Sequence, residues 1–186
     1  MKSSADIATP AQVLGFWFGE LTPAQWWRKD AALDALIAQR FATTLAAAKA
    51  AELADWRDSA RGRLAEVIVL DQFSRNVFRD RAESFASDGM ALALAQEAVR
   101  GGFDAQLAVS ERAFFYLPYM HSESAQIHQD ALRLFDQPGL ESNLDFERRH
   151  HAIIARFGRY PHRNAILGRE STAEELAFLQ QPGSSF

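Results

Sequence analysis

Asp71 lies in the stretch LDQFSRNVFRD, Leu70–Asp80, seven, four and three residues after Leu64, Val67 and Ile68. At helical spacing this places a carboxylate on an apolar stripe. An isolated buried carboxylate is very costly, so Asp71 needs a partner. Arg75, four residues on, stands in the favourable order for such a pair. Arg79 follows one turn later if the helix lasts that far. Gln72 and Asn76 form a second pair, four apart, on an adjacent face. The set could present a guanidinium to an anion, or it could simply tie helix ends together.

A second stretch, YLPYMHSES, Tyr116–Ser124, carries His121 just after Pro118. Proline inside a helix removes a backbone bond and clashes with the preceding turn, so a kink or break is expected there. Ser122 reads as the N-cap of the next helix. Glu123 then falls in its first turn, where the dipole favours an acid. In a cleft, His121 could move protons near neutral pH. Otherwise it belongs to a capped helix junction.

The third stretch is RFGRYPHRNAILGRE, Arg156–Glu170. From Arg148 to Glu170 there are six Arg, three His and one acid, about +5 with His neutral, in a chain whose net charge is −4. Gly158 and Pro161 turn the chain, and Ile166 and Leu167 are expected to pin the returning loop. Arg149 and Arg156 share a helix face with Ile153 between them. Arg159, His162, Arg163 and Asn164 would then be held rigidly, a geometry suited to carboxylate or phosphate. A clamp, in which the arginines pair with acids of earlier helices, stands beside that reading.

The elements that must position these groups are helical. TPAQ occurs at Thr9–Gln12 and Thr22–Gln25, each read as Thr N-cap, early Pro and Gln three residues on. The first helix carries VLGFWFG to about Gly19. The second begins at Trp26–Trp27 and continues or restarts at Asp30, with Leu33, Leu36, Ile37, Phe41, Thr44 and Leu45 inward. Further helices follow Ser59, start at Ser87 or Asp88 and end at Gly101–Gly102, start at Ser110, follow Ser122, cover 143–157, and open at Ser171 or Thr172. No stretch alternates as a half-buried strand would. The fold class is all-α, antiparallel helical hairpins in one domain over 1–186, with an ordered core of about 9–181.

With 186 residues, 48% of them hydrophobic and 14 of them Phe, the chain can bury a full core. No apolar run approaches the roughly 20 residues needed to span a bilayer, and MKSSADIATP lacks the apolar centre of a secretion signal. A cytoplasmic protein is expected. With no Cys, thiolate chemistry and Cys-type metal sites are excluded. The basic residues comprise 17 Arg and 3 Lys, clustered locally, so no nucleic-acid partner is expected. His121, Glu123 and His128, or His150–His151, match no metal spacing such as H-E-x-x-H, and no cofactor is expected.

LDQFSRNVFR, YLPYMHSES, FGRYPHRNAILGRE and VLGFWFG together resemble a widespread bacterial family known only as a domain of unknown function. The resemblance covers roughly residues 10 to 180. It implies an all-helical fold similar to tetratricopeptide-like proteins, and it brings no activity, cofactor or catalytic residue with it.

Two functions follow from the residues. One is a binding module, in which Arg75, Arg79, His121, Arg159, His162, Arg163 and Asn164 hold a carboxylate or phosphate metabolite, or a peptide's terminal carboxylate. The other is an acid–base enzyme of hydrolytic type, with His121 or His162 as base, Asp71 or Glu123 orienting it, and arginines stabilising negative charge. No G-x-S-x-G elbow is present. Oligomeric state is open. Thermal denaturation of Arg163→Ala separates site from clamp: a ligand arginine leaves a folded chain without ligand-induced stabilisation, whereas a clamp arginine leaves an unfolded one.

Overall fold

The computed structural model describes residues 7–185. Most of the opening stretch read for a leader lies outside the described residues. The two TPAQ caps form as expected. Thr9 accepts from the Gln12 N–H, and Gln12 returns a bond to the Thr9 N–H at 2.8 Å, opening α1, Pro10–Leu14. This helix continues as a wider π-helical turn over Gly15–Glu20. Thr22 and Gln25 open α2, Pro23–Trp27. The chain then restarts: Asp30 caps the N–H groups of Ala32 and Leu33, and α3 runs over Ala31–Lys49. Its buried stripe is Leu33, Ile37, Phe41, Thr44 and Leu45, while Leu36, expected inward, is 39% exposed.

Ser59 caps α4, Ala60–Ile68, which passes through a π-helical turn at Val69–Phe73 into the short α5, Ser74–Val77. All ten residues from Leu64 to Phe73 are buried. A helix hidden on every side must be surrounded, and α1, α3, α6 and α7 do surround this segment. The remaining helices are α6 (Asp88–Arg100), α7 (Val109–Met120), α8 (Ala125–Phe135), α9 (Glu141–Phe157) and α10 (Ala173–Leu179). Successive helices α6, α7, α8 and α9 pack on one another through short connections. Among the described residues there is no strand, and the fold is all-α.

Three local expectations change. Pro118 does not break α7, which runs on to Met120. The proline penalty of about 3 kcal/mol is smaller than the burial of Phe114, Phe115, Leu117 and Tyr119, each worth about 1.5–3 kcal/mol. The N-cap of α8 is Ser124, not Ser122, so Glu123 precedes the helix rather than sitting in its first turn. The loop after Gly158, which takes the left-handed conformation (φ 69°), is held by buried Arg163 and Asn164. Ile166 is half-buried and Leu167 is 36% exposed, so neither is the anchor expected of it.

The main core joins α1 to the middle helices through Phe16, Trp17, Phe41, Phe73 and Phe114 in tilted and edge-to-face contacts. A smaller cluster of Ile153, Ile154 and Tyr160 seats the C-terminal part against Phe157 and Phe178. Gly62 lies under the Trp56 carbonyl, and a Cβ there would stand 1.9 Å from its oxygen. Gly62→Ala should therefore force backbone apart and lower stability by about 1–3 kcal/mol, read as a lower urea midpoint with an unchanged slope.

Candidate functional site

Asp71 sits in the π-helical turn, 1% exposed. Its Oδ1 accepts from His121 Nδ1 at 2.7 Å and pairs ionically with Arg75 Nη1 at 2.9 Å, and its Oδ2 accepts from Gln72 Nε2 at 2.6 Å. Burial alone would raise this carboxyl, but Arg75, His121 and Gln72 hold it below the ordinary carboxylate range. An ionised Asp71 can only accept, so His121 Nδ1 carries the proton and Nε2 is left as the basic nitrogen. Burial and the Arg75 charge keep the His121 ring below its ordinary value against the pull of Asp71.

Arg75 links this pair to a neighbour that the sequence reading placed only as a helix start. Its Nη1 and Nη2 reach the two carboxylate oxygens of Asp88 at 3.0 Å each, and Nη1 also donates to the Asp71 carbonyl at 2.8 Å. Arg163 approaches the same Asp88 at a longer 3.4 Å and donates to the His121 carbonyl at 3.0 Å. Its guanidinium lies between the rings of Phe85, 4.5 Å away, and Tyr160, 4.7 Å away, and its Nε is buried with no hydrogen-bond partner. Burial and the Arg75 charge lower the Arg163 guanidinium from its ordinary value.

These groups border a cavity of about 360 Å³. Asp88, His121, Ser122, Glu123 and Arg163 supply its polar wall, while Phe85, Leu92, Pro118 and Leu167 are prominent in its apolar wall. Ser122 Oγ is engaged by the Ser124 N–H at 3.1 Å. Glu123 accepts both terminal nitrogens of Arg169, at 2.6 and 2.9 Å, and the Tyr160 N–H at 2.8 Å. Burial would raise its carboxyl, but Arg169 and that N–H hold it below its ordinary value. Around the cavity, three carboxylates (Asp71, Asp88, Glu123) thus meet three guanidiniums (Arg75, Arg163, Arg169).

Of the ten residues singled out from the sequence, Asp71, Arg75, His121, Glu123 and Arg163 converge here. The rest do not. Asn76 and Arg79 both turn to Asp34, at 2.8 Å and at 2.5 and 2.7 Å, so Gln72 and Asn76 are not a pair. Arg159 pairs with Glu175 at 2.6 and 2.8 Å. Asn164 is fully buried, donates to Ser171 Oγ and accepts from Arg169 Nε. His162 packs its ring 5.5 Å from that of Tyr160, and burial together with the Arg163 charge holds it at about 4. Arg156 pairs with Glu174. The arginine-rich segment is therefore mostly a brace, and Arg163 alone among its arginines lines the cavity. Among the described residues, no three His, Asp or Glu side chains gather as a metal-ion ligand set, and no helix is long and apolar enough to cross a membrane.

A family model described as "Bacterial protein of unknown function (DUF924)" matches residues 13–183. A solved structure titled "Structure of Protein of Unknown Function ATU0120 from Agrobacterium tumefaciens" is similar at 40% identity and a TM-score of 0.88, covering 92% of this chain and 96% of that one. Comparison with curated proteins gave no match.

Breaking a buried charge pair by removing one partner is strongly destabilising. Asp71→Asn should lower stability by about 3–5 kcal/mol in urea denaturation. Because the Asp71 carboxyl is held below its unfolded value of about 3.9, its contribution is complete above about pH 4 and fades as pH falls through the lower folded value. The wild type should lose more stability than Asp71→Asn over this range, the variant keeping only the shallower acid limb of Glu123, Glu175 and the other carboxyls held low.

Proposed function

The chain belongs to this family of bacterial proteins of unknown function, and on that premise we propose that its cavity is an acid–base site acting on a small molecule with an anionic group. The observation that carries this reading is the Asp71–His121 pair, 2.7 Å apart, with the carboxylate buried and the imidazole at the cavity wall. A buried, ionised carboxylate that fixes a histidine tautomer is the arrangement that makes the second ring nitrogen a directed base. His121 Nε2 would take a proton from a water molecule as that water attacks an acyl or phosphoryl centre, and would return it to the departing alcohol oxygen or amine nitrogen as the ester or amide bond breaks. Ser122, already engaged through Oγ, is not the nucleophile in this scheme.

Arg163 supports the anionic part of the proposal. A guanidinium offers five N–H donors, and here one close bond and one long contact leave several unused. A buried cation shared so weakly with Asp88 gains from an arriving carboxylate or phosphate. The balance of three acids against three arginines argues against a strongly attracting basic cleft, so the anion would be recognised by Arg163 rather than by a field. The apolar wall at Phe85, Leu92, Pro118 and Leu167 favours a ligand with a hydrophobic body. The tetratricopeptide-like arrangement implied by the sequence resemblance keeps a peptide's terminal carboxylate among the anions worth testing. A pure binding module is the second reading, favoured by the same spare donors of Arg163.

Turnover of a panel of carboxylate- and phosphate-bearing esters and amides tests the proposal. His121→Asn should lower kcat about 10²–10⁴-fold with little change in KM, and Arg163→Met should chiefly raise KM. Because the base must be unprotonated, kcat/KM should rise with pH through a value below about 6.5 and then level off. Full activity in His121→Asn would refute the catalytic role. Ligand-induced stabilisation without turnover would favour the binding module.

A further inference from the structure

Behind the cavity wall lies a second histidine–carboxylate pair that the proposed chemistry does not use. His128 on α8 and Glu147 on α9 are both fully buried. His128 Nδ1 stands 2.6 Å from Glu147 Oε1, and His128 Nε2 stands 2.9 Å from the carbonyl oxygen of Ser122. The Tyr160 hydroxyl is also near Nε2, at 3.3 Å, and donates to the Met120 carbonyl at 2.5 Å.

Counting protons decides the state of this pair. A carbonyl oxygen can only accept, so Nε2 must carry hydrogen. The 2.6 Å gap between Nδ1 and Oε1 must also hold a proton, since two lone pairs at that distance repel. The pair therefore holds one titratable proton in addition to the Nε2 hydrogen. It is either imidazolium with carboxylate or neutral imidazole with carboxylic acid, and it is neutral overall in both forms. Glu147 Oε2, buried with no hydrogen-bond partner, disfavours a lasting negative charge there.

The position of the pair gives that proton a consequence. Three successive carbonyls at the end of α7 are held by side chains from elsewhere: Met120 by Tyr160, His121 by Arg163 and Ser122 by His128. His121 is the middle residue. We propose that the proton shared by His128 and Glu147 is a latch: it keeps His128 donating to Ser122, positions His121 at the cavity, and is released at alkaline pH. Glu147 and His128 are positioning residues in this scheme. The proton count stands whatever the cavity does, and only the effect on His121 rests on the acid–base reading above.

The unfolded chain sets the direction of the pH effect. Above about pH 6.5 an unfolded His and Glu hold no titratable proton between them, while the latched pair, in its 2.6 Å geometry, holds one. The folded state then binds more protons, so stability falls as pH rises from about 7 to the point of release. Burial raises the Glu147 carboxyl against the pull of His128, which agrees in sign. Neighbouring groups do not mimic this. His150, facing Tyr160 from α9, is held by burial at about 3, and His162 at about 4. Burial pushes the Tyr160 phenol upward. Arg163 lies beyond the Tyr160 ring, and His121 is tied to Asp71. His151, whose ring is 6.0 Å from that of His128, pulls the Glu147 carboxyl down, opposite in sign to the proposed effect.

Glu147→Gln tests the latch, because an amide can donate to Nδ1 and preserve both hydrogen bonds without a titratable proton. Urea unfolding of the full chain at pH 7, 8 and 9 should show the wild-type unfolding constant rising about tenfold more per pH unit than that of the variant. Glu147→Ala should be destabilised at every pH and not rescued. Parallel wild-type and Glu147→Gln curves would overturn the proposal. Should the variant fail to fold, proton NMR of the wild type decides: a far-downfield resonance coupled to the His128 ring at pH 7 supports the shared proton, and its absence refutes it. His121 ring shifts should follow release in the wild type and stay still in Glu147→Gln. If the curves differ while His121 does not respond, the buried proton exists but the latch does not, independently of any failure to find turnover.

Discussion

Everything near the cavity depends on the need of one buried carboxylate for partners. Asp71 stands on a helix hidden on all sides and is itself almost wholly buried. A charge so placed persists only when its lone pairs are filled and its charge is matched. Arg75 matches it, Gln72 fills one oxygen, and His121 fills the other from a different helix. The chain thereby fixes a histidine ring in one orientation and one tautomer at the edge of an opening. The π-helical turn at Val69–Phe73 is part of this. Such turns recur at functional sites, and here the turn holds both Asp71 and Gln72 in the interior.

The C-terminal arginines serve that arrangement from outside. Arg169 ties the 160–169 segment to Glu123, Arg156 and Arg159 tie the C-terminal end of α9 and the turn after it to α10, and Arg163 with Tyr160 reaches back to the carbonyls at the end of α7. Exposed pairs such as Arg156–Glu174 contribute about 0–1 kcal/mol, so their role is to define position more than to add stability. Arg163 differs in kind. It is buried, sandwiched by two aromatic rings and only loosely shared with Asp88, so it is both part of the brace and the group that an arriving anion would meet.

Much of this was legible in the chain. Helical spacing identifies Asp71 as an inward carboxylate and Arg75 as its partner, and the caps at Thr9 and Thr22 and the helix start after Ser59 are legible because capping is local chemistry. What depended on distant pairing was not legible. Asp88 reads as an ordinary acid at a helix start, and only the packing of α6 beside the π-helical turn makes it the bridge between Arg75 and Arg163. Arg79 and Asn76 were drawn to Asp34 because α5 ends at Val77 and packs on α3. Pro118 suggested a break that burial overrides. His128 and Glu147 carried a usable signal: each sits at helical spacing on an apolar stripe, with Ala131 and Phe135 or with Leu144, and a polar group there demands a partner.

The central claim is that Asp71 holds His121 as the neutral Nδ1–H tautomer, leaving Nε2 as a base. Long-range nitrogen NMR of the histidine side chains at pH 7 measures this directly. The account predicts a protonated Nδ1 and a bare Nε2 for His121. A ring protonated at Nε2 with Nδ1 bare, or one carrying both protons at that pH, would contradict it.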